Sequence, residues 1–159
     1  MSMAKAIAEG RFARISKLEK TVGHVLRSLG IKLIPQYGIR GDGGRYVACV
    51  DFFLPDMNIA MEVNGTFWHS DIRVYPNGPV HFSQRRNMVK YNRKKNTLTQ
   101  RGINLVEVWE IDFHKDPFGS VRLALGLPEG YMPEPLDTSK EWKNPVTLTG
   151  GVSFLDMFP

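Results

Sequence analysis

The chain is poor in cysteine, has no long apolar run and, over one stretch, has no acid at all. Its single cysteine, Cys49, can form no internal disulfide and cannot anchor a multi-thiolate zinc site, which points to a reducing compartment, the cytoplasm. No apolar run approaches the ~20 residues a membrane helix needs, and the opening MSMAKAIAEGRFARI lacks the apolar core of a secretion signal, so no membrane association is expected. From Ile72 to Val106 there is no acidic residue, while Arg73, Arg85, Arg86, Lys90, Arg93, Lys94, Lys95 and Arg101 all fall there. With a net charge of +5 on the whole chain, that stretch is where a phosphate backbone would lie.

What is present fits one globular domain: 159 residues, 42% hydrophobic and 23% charged, are enough to bury a core. Ile15, Leu18, Val22, Val25, Leu26 and Leu29 recur at helical spacing, Ser16 and Glu19 match a capping box, and Gly30 offers a stop. IKLIPQYGI reads as a strand with an irregular start, RGDGGR as a turn, RYVACVDFFL as a second strand and NIAMEV as a third. Phe82 to Arg101 reads as a helix with one basic face, INLVEVWE as another buried strand, and Asp116-Pro117 as the start of a last helix reaching Leu125. A strand, a helix and a strand in that order imply a crossover connection and a mixed sheet of about four strands flanked by helices.

The segment MEVNGTFWHSD concentrates the reactive side chains. Alternation along a strand puts Glu62 and Asn64 on one face and Met61 and Val63 on the other. Asp51 sits among Val50, Phe52 and Phe53, where a carboxylate is costly unless something pairs with it. Two carboxylates on neighbouring strands make a hard-oxygen site suited to Mg²⁺, and His69 can take a proton from water near neutral pH. Each residue also has an ordinary reading. Asp51 could pair with Arg40 or Arg45, Glu62 could lie on an exposed edge, and His69 could be a hydrogen-bonded structural histidine. The capping box alone accounts for Glu19.

VDFFLPDMNIAMEVNGTFWHSD, followed by a basic helix and RGINLVEVWE, resembles the very-short-patch-repair (Vsr) endonucleases and the related phage homing endonucleases, the EDxHD branch of the PD-(D/E)XK nucleases. The resemblance runs from about residue 15 to 113, with Gly65-Thr66-Phe67-Trp68-His69 and Gly102 to Glu110 as its motifs. It implies a restriction-endonuclease-like α/β core and Mg²⁺- or Mn²⁺-dependent hydrolysis of double-stranded DNA. Asp51 then matches the metal-binding aspartate, His69 the general base and Glu19 a helix glutamate near the site. Val63 falls where a backbone carbonyl helps hold the metal, beside Glu62, and Asn64 would orient water or phosphate. Phe67 and Trp68 match aromatics wedged between base pairs, and Asp71 the final acid of the pattern. Arg85, Arg86, Lys90, Arg93 and Lys94 would follow the DNA backbone.

Two departures bear on activity. After Trp68-His69 the chain reads SDIRVYPNG, with none of the histidines and cysteines of the Vsr zinc site, so structural zinc is not expected, and mismatch repair yields to a homing or other phage-type role. Most PD-(D/E)XK enzymes carry lysine two residues after the acid, where this chain has Asn64. Either His69 takes over that function or the chain binds DNA without cutting it. A structure-specific nuclease for flaps, mismatches or branches is a further alternative. Residues 1–127 would form the nuclease domain and 128–159 an extended proline-containing tail. Its ending at 153–159, with Phe154-Leu155-Asp156-Met157-Phe158, resembles a sliding-clamp-binding peptide.

Overall fold

The computed structural model describes residues 15–131. Helix α1 (Lys17–Ser28) is followed by strands β1 (Ile34–Arg40), β2 (Tyr46–Leu54) and β3 (Ile59–Asn64). Helix α2 (Phe82–Gln100), strand β4 (Asn104–Trp109) and helices α3 (Glu110–Lys115) and α4 (Pro117–Leu125) complete the order. The fold is α/β: a four-stranded mixed sheet in the order β1-β2-β3-β4, flanked by helices. The first two pairings are antiparallel and β3 runs parallel to β4, as the intervening α2 requires. Among the described residues no helix is long and apolar enough to cross a membrane. Of the tail expected at 128–159, residues from 132 onward, with the ending at 153–159, lie outside the described residues.

Local chemistry sets the helix ends. The Ser16 hydroxyl accepts from Glu19 N at 3.1 Å and Glu19 Oε1 accepts from Ser16 N at 3.4 Å, so the expected capping box starts α1. Gly30, at φ 71°, supplies the left-handed turn that ends it. Asp116 caps α4 by accepting from Gly119 N at 2.9 Å, with Pro117 at the first helical position. The six-residue α3 has no counterpart among the expected elements. It is too short to show a period, and Trp109 gives it no side-chain cap.

The main core lies between one sheet face and helices α1, α3 and α4, with Leu26, Phe52, Leu54, Met61, Phe113 and Val121 at its centre. Burying a side chain such as Phe52 contributes about 2–3 kcal/mol. Leu127 and Tyr131 pack against the same core beyond the end of α4. A smaller cluster of Ile39, Ala48, Val50, Ala60 and Leu98 joins α2 to the sheet. β3 is buried along its whole length, because it has a strand on each side and helices over both faces. The edge strand β4 differs from expectation: only Val108 is buried and the rest is partly exposed.

Candidate active site on diverging strands

The β2–β3 ladder pairs Leu54 with Ile59, Phe53 with Ala60 and Phe52 with Met61. Beyond Phe52, side chains take over from the backbone. Asp51 N donates to Glu62 Oε1 at 3.3 Å, and Val63 N donates to Asp51 Oδ2 at 2.8 Å. The two carboxylates therefore close the gap where the strands part and satisfy amides that the ladder no longer serves. Glu62 is 2% exposed, which excludes the exposed-edge reading, and Asp51 bonds this amide rather than pairing with Arg40, whose guanidinium bonds Gly44 O and Tyr46 Oη.

Lys94 reaches this pair from α2. Its Nζ lies 3.0 Å from Glu62 Oε1 and 2.9 Å from Glu62 Oε2. This corrects the expectation that Lys94 lines the DNA-facing side of the helix. The C-terminal half of α2 docks on the sheet through Leu98, and Lys94, one turn earlier, faces the same way. Gln84, Asn87, Tyr91, Lys94 and Leu98 form the inner stripe of α2, and the first four are polar. Gln84 Nε2 donates to Phe67 O at 2.8 Å, Asn87 Nδ2 donates to Trp68 O at 3.2 Å, and Tyr91 donates to Glu107. Gln84 also accepts from Val80 N and His81 N, each at 2.9 Å, so it fixes the helix start to the turn after Gly65.

Glu19 approaches from α1, where Gln36 Nε2 donates to its Oε2 at 2.7 Å. Gln36 sits within β1 at φ 49°, a left-handed backbone that a non-glycine residue adopts only at a cost. That geometry turns its amide toward Glu19.

The site concentrates negative charge away from water. Burial first, then the Asp51 carboxylate, pushes Glu19 up to about 7. Burial and Asp51 likewise push Glu62 up to about 8 against the pull of Lys94. Burial raises Asp51 as well, opposed by Lys94 and the Val63 amide. Burial also disfavours the charge on Lys94, yet Glu62 and Asp51 outweigh it and hold its ammonium above the ordinary lysine range. His69 moves the other way: burial, then Lys94, lowers it to about 4, so its imidazole is neutral at physiological pH.

The remaining residues of the motif divide into those near the carboxylates and those drawn elsewhere. Asn64 follows Glu62 on the same face of β3, 1% exposed, and its Oδ1 is buried without a hydrogen-bond partner among the described residues. Asp71 is engaged elsewhere: Arg73 donates to it from N, Nε and Nη2 at 3.0, 2.9 and 2.7 Å and also bridges to Asp112. The Arg73 hydrogen bonds hold Asp71 below the usual carboxylate range. Phe67 is 39% and Trp68 56% exposed, edge to face at 5.1 Å. Their turn is tied down by Thr66 N donating to Glu110 Oε2 at 2.7 Å. Arg85, Arg86, Lys90 and Arg93 stand exposed on the outer face of α2, with Phe82 and Val89 among them.

The donor set fits a hard divalent cation. Asp51 and Glu62 are carboxylates whose mutual repulsion such a charge would relieve, and the Val63 backbone lies beside them. Among the described residues no three His, Cys, Asp or Glu side chains gather as a ready-made cage, so water or substrate oxygens would complete the coordination. A scan against protein-family models and a search of curated proteins found no match to the chain.

Proposed function

We propose that the protein is a metal-dependent DNA endonuclease with a PD-(D/E)XK, Vsr-like catalytic core, of the phage homing type. The observation that carries this reading is the Asp51–Glu62 pair on diverging strands with the Lys94 amine bound to Glu62. It supplies the lysine that the spacing after Glu62 lacks, from a helix instead of the strand.

Asp51, Glu62 and the Val63 carbonyl would hold Mg²⁺ or Mn²⁺. When bound, the ion supplies Lewis-acid polarisation of the phosphate and a lowered pKa for the attacking water. His69, neutral at pH 7, would accept the proton of an attacking water as its oxygen bonds to phosphorus, while the P–O bond to the leaving sugar oxygen breaks and that oxygen takes a proton from solvent. Lys94 keeps a positive charge beside the site, where negative charge grows on the phosphate oxygens. Asn64, with a buried oxygen lacking a partner among the described residues, orients water. The outer cations of α2 bind the DNA backbone, and Phe67 and Trp68 deform the duplex.

The test is cleavage of supercoiled plasmid with Mg²⁺, with Mn²⁺ and with EDTA, beside Asp51→Asn. Cleavage that needs the ion and Asp51 supports the reading. Binding without cleavage under every ion identifies a DNA-binding module on a nuclease fold, and cleavage confined to branched, flapped or mismatched substrates identifies a structure-specific nuclease.

A further inference from the structure

Glu107 is not among the residues that the sequence singles out. It lies on β4 directly opposite Glu62 in the parallel register. Its Oε1 accepts a hydrogen bond from the Tyr91 hydroxyl, and its Oε2 accepts one from Trp109 Nε1 at 3.1 Å. Tyr91 comes from the inner stripe of α2, and Trp109 lies two residues on along β4, on the same strand face.

Both rings then meet His69. The Tyr91 ring lies 6.1 Å from the imidazole at 83° and the Trp109 ring 6.5 Å from it at 89°, edge to face in each case. Among the described residues these are the aromatic neighbours of His69, the Lys94 ammonium acts on it as well, and neither ring nitrogen has a hydrogen bond. The backbone of His69 is tied, its N donating to Gly65 O at 3.1 Å, while its imidazole stands against two aromatic rings without a hydrogen bond among the described residues. Aromatic rings alone are free to slide. Here one carboxylate ties both of them, from a helix and a strand, at fixed positions.

We propose that Glu107 is a positioning residue for His69: by holding the Tyr91 hydroxyl and the Trp109 indole N–H together, it sets the two rings that orient the imidazole. Its importance for catalysis rests on the reading of His69 as the proton acceptor. The clamp itself is a property of the free protein.

The experiment compares Glu107→Leu, Glu107→Gln and Tyr91→Phe with the wild-type chain at one pH, without substrate and in cleavage. The first readout is the pair of His69 ring C–H resonances by NMR, shifted by the currents of the Tyr91 and Trp109 rings. Glu107→Leu should move them toward the values of an unstructured histidine. Glu107→Gln should restore them, because an amide oxygen can accept from the indole and an amide N–H can donate to the phenol oxygen. Tyr91→Phe, which removes one tie and keeps the ring, should move them part of the way. It carries the test if Glu107→Leu does not fold. In cleavage, Glu107→Leu should lower kcat by on the order of 10²-fold through misorientation, with KM for DNA nearly unchanged, and Glu107→Gln should recover most of it. Unmoved His69 resonances in Glu107→Leu or Tyr91→Phe overturn the clamp, and moved resonances with unchanged kcat overturn its catalytic role. If the wild-type chain cuts no DNA while the resonances move as stated, the nuclease reading fails and the clamp stands.

Discussion

Lys94 Nζ lies within 3.0 Å of both carboxylate oxygens of Glu62, joining the C-terminal half of α2 to the centre of β3. In a helix with no acid of its own, this lysine turns inward to a carboxylate that the sheet has buried.

Replacing it should separate catalysis from folding. Lys94→Met removes the amine and leaves Glu62 beside Asp51 with no counter-charge. Glu62, already raised to about 8, then takes up a proton more readily, so the loss of stability is limited at low pH. We expect Lys94→Met to lose cleavage by about 10²-fold or more, with a fall in Tm that is larger at pH 9 than at pH 6. Melting curves at the two pH values check it. An equal fall at both would show that Lys94 matters for packing and not for charge.

Glu19 gives a second pH-dependent expectation, with the ion removed by EDTA. Its folded value of about 7 lies above the 4.5 of an ordinary glutamate. Between these, the folded chain holds a proton that the unfolded chain has released, so the wild-type protein loses stability as pH rises through this window and carries the full penalty above it. Glu19→Gln carries no such charge and can still complete the capping box. It should therefore be the more stable protein at pH 8, by on the order of 1–3 kcal/mol, and lose that advantage at pH 4. Denaturant melts across the range decide it; a difference independent of pH would remove the buried charge as its cause.

Much of this architecture is legible in the chain. The capping box of α1, the four strands along the chain, the long α2 and the Asp116-Pro117 start of α4 follow from hydrophobic period and turn chemistry, which are local. The polar inner stripe of α2 is not legible. Gln84, Asn87, Tyr91 and Lys94 recur at helical spacing, but a search for apolar period passes over them and assigns the helix only a basic face. Their partners, the carbonyls of Phe67 and Trp68 and the acids Glu107 and Glu62, are set by tertiary contact. Lys94 beside Glu62 escapes a sequence reading for the same reason, since spacing along a strand says nothing of a side chain arriving from α2. Gln36 escapes it because a left-handed backbone is invisible in a strand-like sequence.

The exposed aromatics should matter more to DNA than to the fold. Phe67 and Trp68 keep 39% and 56% of their surface in water, so replacing both with alanine removes only part of two aromatic side chains from the interior, at a cost of roughly 2–5 kcal/mol. The double variant should stay folded with a lowered Tm, while abolishing duplex bending measured by energy transfer between end labels. A large drop in Tm with bending intact would make them structural.

On the outer face of α2, Arg85, Arg86, Lys90 and Arg93 are exposed, whereas Lys94 is committed to Glu62. Changing these four to glutamine should weaken binding to all sequences alike. The slope of log affinity against log salt should become shallower by up to about 0.9 for each phosphate that is no longer neutralised. Lys94→Gln should leave the slope unchanged. A slope that ignores the four changes would move the DNA path off this helix.

Metal binding should itself release protons. Burial and the carboxylates' mutual repulsion raise Glu62 to about 8, and Glu19 to about 7, so near pH 7 the cluster retains protons that an arriving divalent cation would make unfavourable. Calorimetric titration with Mg²⁺ or Mn²⁺ in buffers of different ionisation enthalpy reads this directly, because the apparent heat changes with the buffer in proportion to the protons released. The expected result is net release at pH 7 and a metal affinity that rises with pH from 6 to 8, where the metal-free protein loses those protons unaided. Asp51→Asn should abolish the binding, since it removes one of the two carboxylates that would hold the ion. Lys94→Met should leave an ion-binding site with larger proton release, because Glu62 without its ammonium holds its proton to higher pH. Binding with no buffer dependence would show that the carboxylates are already ionised in the free protein, and that Lys94 neutralises them more fully than the burial of Glu62 suggests.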